Sequence, residues 1–516
     1  MQYKQSGEFS KCEWKTDAYT ETGADYTLPD YNGDVRKILY TEAKIRPSGS
    51  FENGENIDFS GIIVYNLIYS DSENRINSVS FTSDYDHSIK CGEGCEAVSF
   101  EPCLANFSLR LLGPRKISAK AALSSKILLS RKTEQKIEGT AFEAGSAPEV
   151  NNLSVSLMSA AASECSEREY AEELLRLDGE GADSVEVIHS GGECLIESVS
   201  ADSEGAILRG TARIVALVKT SQGNIQRVEK TVKIDENIPF EGACEAMKLA
   251  GRAQVSSVRC SVNGDEGGCS VVGSLIAELT LEAFGNSNSS LVADAYSCEG
   301  ECENEYTDFK YLELLNLVTE RGELSMQTSR EAVEIEGALE VICLGADVKI
   351  SSCESEGELC RISGDINYSG IAIGADDKGN TCYHPFKVSL PFENNVNKGL
   401  QNDEKILLYP FVSCYNASAE ADESSIYLKT MVQTKLFVCR ENTRKILAGS
   451  ELCASASLDN RDSKIVVYYP EAGESLFEIA KRFRTTVEKL TADNAISHTA
   501  SSDGAEHLLE KKLLIY

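Results

Sequence analysis

Three stretches of the sequence repeat one pattern: a glycine, a strand-like run, a polar turn and a second strand-like run. They are NIDFSGIIVYNLIYSDSENRINSVSF from Asn56, EGAILRGTARIVALVKTSQGNIQRVEKTV from Glu204, and LCRISGDINYSGIAIGADDKGNTCYHPFKV from Leu359. Their glycines, Gly61, Gly210 and Gly364, lie 149 and 154 residues apart. A solenoid unit runs about 20–50 residues, so this period points to tandem copies of a whole domain. The turns SDSENR, TSQGN and GADDKGN are rich in residues that tolerate hairpin dihedrals.

The copies share more than the central hairpin. A tetrad, Ile238-Pro239-Phe240-Glu241, is matched by Leu390-Pro391-Phe392-Glu393, with Ser88-Ile89 at the corresponding place in the first copy. Each copy closes on a strand pair with alternating apolar residues, beginning near Leu104, Val255 and Val412. The expected fold is mainly β: three tandem β-sandwich-like repeats over 1–130, 131–285 and 286–450. Short helices are expected at Asp34–Leu39, Ser166–Leu177 and Phe309–Thr319, where Leu and Tyr recur at helical spacing. The longest apolar run, Ile62–Tyr69, is a strand by length and Val/Ile/Tyr content and is too short to span a bilayer.

The first copy opens YTLPDYNGDVRKILYTEAKI. Leu28-Pro29-Asp30-Tyr31 and Asp34-Val35-Arg36-Lys37-Ile38-Leu39 resemble the start of the SPOCS domain, a bacterial spore-coat-associated family. Its copies open with a Leu-Pro-Asp-Tyr segment and an Asp-Ile-x-x-Ile-Leu helix. The glycine-strand-turn-strand block and the Pro-Phe segment are similar to that family as well. The resemblance covers most of residues 16–450.

The last fifty residues follow a different pattern. Ile465–Tyr469 reads as a short strand, and Pro470, Ala472 and Gly473 as a tight turn. Ser475 with Glu478 forms a capping box, and Leu476, Ile479, Ala480 and Phe483 line one helical stripe. Thr485 with Glu488 is a second capping box, Asn494 stops that helix, and KLLIY (Lys512–Tyr516) supplies a partner strand. This βααβ module over 463–516 resembles a LysM domain. The family's motifs are met by Tyr468, Gly473-Glu474-Ser475-Leu476, Ile479 to Phe483, Thr486 to Leu490, and Asn494. Glu474 stands for the usual Asp and Phe477 for the usual Trp or Tyr, and the final loop, Ser497–Glu510, is longer than usual. The resemblance implies a shallow groove between two turns: Gly473, Glu474, Ser475 and Leu476 on one side, Asp493, Asn494, Ala495 and Ile496 on the other. Simple capping and turn chemistry accounts equally well for these residues. Lys481, Arg482 and Arg484 cluster on the first helix, as a solvated face or a protein-binding patch.

The formal net charge is −32, and residues 464–516 carry seven Lys/Arg against eight Asp/Glu, so the β repeats hold nearly all of it. Such a surface repels nucleic acid and anionic lipid and attracts basic partners. The N-terminus shows no apolar secretion signal. The 18 cysteines include no CxxC pair, the closest being Cys91/Cys95 and Cys298/Cys302. Free thiols in a reducing compartment and late oxidative cross-linking both fit; metal-ligand spacing is missing. No HExxH, P-loop, GxSxG or GxGxxG signature occurs, and Cys382/His384 reads as packing on one strand face. The sequence therefore predicts a protein without enzymatic activity, cofactor or metal.

Tandem SPOCS-like repeats followed by a LysM-like module resemble clostridial spore-coat morphogenetic proteins of the SipL type. That resemblance implies a mother-cell cytoplasmic protein at the forespore surface. Its LysM module would dock on stage IV sporulation protein A, the coat-basement ATPase, and other coat proteins are further candidate partners. The alternative is a LysM protein that holds an N-acetylated glycan of the peptidoglycan or chitin type.

Overall fold

The computed structural model describes residues 8–142, 148–202, 205–240, 247–335, 338–375, 379–400, 405–453, 465–471, 473–496 and 512–515. Among these, no helix is long and apolar enough to cross a membrane. Strand dominates throughout: β1 to β19 build the body, and β20 (Val466–Tyr468), α1 (Leu476–Phe483), α2 (Val487–Asp493) and β21 (Leu513–Ile515) build the C-terminal module.

Each repeat consists of two packed antiparallel sheets. One is a meander centred on the strand that carries the repeat glycine. These meanders are β2-β3-β4 (Lys37–Asn53, Asn56–Ser70, Ile76–Lys90), β9-β10-β11 (Glu186–Asp202, Gly205–Lys219, Ile225–Pro239) and β15-β16-β17 (Ala338–Glu356, Leu359–Ala375, Thr381–Asn397). The other sheet places the repeat's last strand between its first and its penultimate strand. In copy one this is β1-β6-β5 (Phe9–Thr27, Lys116–Thr133, Cys95–Gly113), and in copy three β14-β19-β18 (Glu301–Ser329, Ser425–Cys453, Ile406–Ala421). In copy two, β13 (Gly268–Tyr296) pairs with β12 (Lys248–Asp265) on one edge and with β8 (Ser166–Asp178) and then β7 (Glu149–Ala162) on the other. Strand β13 thus runs past residue 285, so the second copy extends to Tyr296.

The repeat glycines occupy equivalent places. Gly61, Gly210 and Gly364 each face a β-bulge in the preceding strand, whose extra residue is Ser48, Glu197 or Ser351. A methyl group on any of the three would overlap a partner-strand carbonyl oxygen, that of Arg46, Leu195 or Lys349. Glycine is required because the bulge bends the two backbones together. The Pro-Phe tetrads do not align in this frame. Pro391 pairs with Asp365, just after its glycine, whereas Pro239 pairs with Gly205, five residues before its own. The true counterparts of Phe392, which faces Gly364, are Ile234 and Tyr85. Glu241 lies outside the described residues.

None of the three expected helices forms. Ser166–Leu177 lies in β8 and Phe309–Thr319 inside β14, while residues 34–36 are an irregular lead into β2. In β8, Tyr170 and Leu174 are the buried pair. A spacing of four satisfies the helical period but is also twice the strand period, so it discriminates poorly. The cross-strand register, which sequence spacing does not reveal, fixes the outcome: Tyr170 pairs with Leu275, and Leu174 is the extra residue of a bulge opposite Val271 and Val272.

The body is held together at its centre. The central strands β3, β10 and β16 begin with one face buried and end with nearly every residue buried. Their outward faces there meet one another: Ile68, Leu217 and Ile371, each seven residues after its repeat glycine, share one apolar cluster with Tyr40, Ile188 and Ile342. A second shared cluster joins Trp14 and Leu128 of copy one, Met158 and Phe284 of copy two, and Phe411 and Phe437 of copy three. The copies therefore surround one approximate threefold axis. This explains why IIVYNLIY is apolar at every position but Asn66: it is covered on both faces.

Candidate functional site

The C-terminal module holds the sequence-predicted site. Ser475 caps α1 by accepting from the Glu478 amide at 3.2 Å, while the Glu478 carboxylate accepts from the Ser475 amide at 2.8 Å. This reciprocal pair satisfies helix-end donors, as the sequence predicted. The second helix starts one residue later than expected. Thr486, not Thr485, is its cap, accepting from the Lys489 amide at 3.1 Å. Thr485 is buried between the helices, and its amide donates to the Ala480 carbonyl.

The two turns of the predicted groove differ in what they leave free. Gly473 is exposed and turns the chain at a φ of 84°. Glu474 is buried, accepting from the Tyr468 hydroxyl at 2.7 Å and pairing with Arg482 at 2.6 Å. Burial opposes its charge, but these donors outweigh it and hold the carboxyl below the usual glutamate range. On the other turn, the Asn494 side chain is fully committed. It donates to the Leu490 and Leu514 carbonyls and accepts from the Leu514 amide at 2.6 Å, which ties α2 to β21. Leu476 and Ile496 are half-buried against the module's core of Ile479, Ala480, Leu490 and Leu513. Asp493 and Ala495 remain exposed. Glu474 and Asn494 are thus structural, and the accessible rim is Gly473, Asp493 and Ala495. Ala472 and the loop at 497–511 lie outside the described residues.

The basic residues are paired, two of them with the body, although Arg482 stays exposed. Lys481 pairs with Asp294 at 2.5 Å, Arg484 with Glu301 at 3.7 Å, and Arg482 with Glu474 within the module. Phe477 packs edge-on against Tyr296 at 5.1 Å, and the Tyr296 hydroxyl donates to the Thr485 carbonyl at 2.7 Å. Helix α1 therefore docks the module on the end of β13 and the start of β14. Phe477 serves that contact. The residues that flank the module's first strand are open to solvent, Ile465 58% and Tyr469 70% exposed.

Sequence reasoning missed a charged interior. On the threefold axis lies a cavity of about 470 Å3, lined by Glu42 and Lys44 of copy one, Glu193 and Arg213 of copy two, and Asp347 and Lys387 of copy three. Burial opposes the charge on Glu42, yet Lys44 at 2.9 Å, His189 and a 2.8 Å bond from Asn66 bring its carboxyl down to about 2. Burial, then Glu42, pushes the Asp347 carboxyl up, and burial pushes the Lys387 ammonium down. Arg213 bridges Glu193, at 3.0 Å, and Glu229. The available signal was Arg213 itself, a lone charge within the apolar run Gly210–Val218.

Cys382 and His384 do come together, with Sγ 3.3 Å from Nε2. The Lys37 ammonium lies 3.2 Å from Nδ1 of the same ring. With Nδ1 accepting from Lys37, Nε2 carries the proton and faces the thiol as a donor, the wrong polarity for a base. The cysteines among the described residues are free, and no group of His, Cys, Asp and Glu there could hold a metal ion. Compared with protein families, curated proteins and solved structures, the chain matches none.

Proposed function

We propose that this is a structural interaction protein without enzymatic activity, built of three SPOCS domains and one LysM domain in the SipL manner. In this reading it works in the mother-cell cytoplasm and tethers the spore coat to the forespore surface. Its LysM module holds a partner resembling stage IV sporulation protein A. The observation that carries the reading is the split use of the module: α1 is consumed in docking to the acidic body, while the rim of Gly473, Asp493 and Ala495 stays open. The exposed Ile465 and Tyr469 of the same module support a protein partner, because exposed apolar side chains on a small module are a common mark of protein interfaces. Two of the turns' polar side chains, Glu474 and Asn494, are committed inside the module and are not free to bind a sugar.

The test is retention of the full-length tagged protein on immobilised stage IV sporulation protein A and, in parallel, on purified murein. Binding to the ATPase, reduced tenfold or more by Asp493→Arg or Ala495→Asn, is expected. Asparagine tolerates the left-handed backbone at position 495, so the second variant keeps the turn. Leu476→Asp and Ile496→Asp are unsuitable probes, because both side chains pack in the module's core. Retention on murein alone, lost in the same variants, establishes the glycan reading instead.

A further inference from the structure

Cys91 and Cys95 pack together near the N-terminal end of β5, and in copy three Cys353 and Cys360 bring their sulfurs into direct contact. Cys353 stands near the end of β15 and Cys360 near the start of β16, on either side of the turn at Gly357. Cys360 is registered opposite Ser355, and Cys353 opposite Ile362. Side chains directly opposite share a sheet face, so both thiols point to the same side as diagonal neighbours. Their sulfurs lie 3.3 Å apart. A disulfide needs about 2.05 Å, so the two side chains must close only about 1.2 Å between them.

The surroundings of the two sulfurs differ. Cys360 is fully buried among Ile362, Val396, Leu436 and Val438, whereas Cys353 is half-buried at the edge of that cluster. Contact with Cys360 lowers the Cys353 thiol, and the Lys126 ammonium lowers it further, against burial. The same contact and burial raise Cys360. The Lys398 ammonium, fully buried, donates to the Ser355 hydroxyl on the strand between them. One thiol is thus accessible and inclined to ionise, and the other waits behind it, as in a pair of attacking and resolving cysteines.

We propose that Cys353 and Cys360 form a cross-strand disulfide site, within one hairpin, that responds to hydroperoxides. The Cys353 thiolate attacks the peroxide oxygen, the O–O bond breaks, and Cys353 becomes a sulfenic acid as water leaves. The Cys360 sulfur then attacks the Cys353 sulfur and expels its hydroxyl group as a second water, taking the proton released by Cys360. Two thiols and one hydrogen peroxide thus give one disulfide and two waters. The bond pins the β15–β16 hairpin where it packs on β18 and β19 of its own repeat.

The digestion pattern makes the test specific. Trypsin releases residues 350–361 as one peptide holding both cysteines, and cleavage after glutamate then separates Cys353 from Cys360. After hydrogen peroxide treatment of the full chain and alkylation, the tryptic peptide is expected 2 Da lighter than its unalkylated dithiol form. The glutamate-specific fragments should stay joined until dithiothreitol is added. In Cys360→Ser, Cys353 should stop at the sulfenic acid and be labelled by dimedone; in Cys353→Ser, Cys360 should stay an alkylatable thiol. The proposal is overturned if the wild-type peptide keeps two alkylatable thiols at a peroxide dose that oxidises the exposed Cys103 and Cys165. It is equally overturned if Cys353 is found bonded to any other cysteine.

Discussion

Lys435→Met tests whether the three repeats are joined by a buried charge network. Lys435 of copy three lies 3.2 Å from Glu282 of copy two and 3.0 Å from Glu101 of copy one. Glu282 is fully buried, and its other partners are the Ser99 hydroxyl at 2.9 Å and the more distant Arg252 at 3.9 Å. Removing the ammonium leaves a buried carboxylate held mainly by one hydroxyl. At an effective dielectric of about 20, a pair at this distance is worth about 5 kcal/mol. Buried pairs broken from one side cost about 3–5 kcal/mol, so that is the expected loss. The readout is built in: Trp14, the only tryptophan, packs on Tyr409, Phe411 and Phe437 beside Lys435, so its emission reports on this junction. Urea unfolding followed by Trp14 emission should show the loss. The double variant Lys435→Met with Glu282→Leu should recover to within about 1–2 kcal/mol of the parent, because it removes the orphaned charge. The pH dependence follows from the sign of the shift. In the parent, burial opposes the Glu282 charge, but Lys435 and Arg252 lower its pKa, so its stabilisation is present above the unfolded value near ~4.3 and fades as pH falls through the folded one. In Lys435→Met, burial acts without Lys435 and raises the carboxyl, so the deficit should be largest at neutral pH and shrink toward pH 5. A single variant within about 0.5 kcal/mol of the parent at pH 7, or a double variant no better than the single, refutes the network as the joint.

Gly364→Ala should destabilise by about 1–3 kcal/mol through its overlap with the Lys349 carbonyl. Gly322→Ala, with open space around it, should be neutral or stabilise by up to about 1 kcal/mol; equal thermal shifts for both would show that the bulge does not demand glycine. Tyr296→Phe should loosen the C-terminal module by about 0.5–1.5 kcal/mol through loss of the bond to Thr485, read as faster hydrogen exchange in α1 and α2 with the body unchanged. Tyr296→Ala should also lose the contact with Phe477 and shed the module's protection further, and protection equal to the parent would remove Tyr296 from the docking contact.

What the sequence made legible was what repeats along the strand. Alternation in the hairpins, the glycine spacing and the capping box of α1 are local signals, and each corresponds to an element of the structure. The tetrad and the three helices failed for the opposite reason. Two Pro-Phe segments can look alike while lying six residues out of register, because only the hydrogen-bonded partner, Asp365 or Gly205, defines the place. The candidate site divides in the same way. Backbone roles at Gly473 and Ser475 follow from neighbours in sequence and were readable. The role of Lys481 depends on Asp294, 187 residues away, and nothing near Lys481 distinguishes an ion pair with the chain's own body from a contact with another protein. The same limit hid the axial cavity, since Glu42 and Asp347 look like ordinary strand charges until three copies place them around one space. The triplication also bears on how the copies are held: Ile68, Leu217 and Ile371 pack together, so the three copies share one interior, and the C-terminal module packs on Tyr296 at its edge.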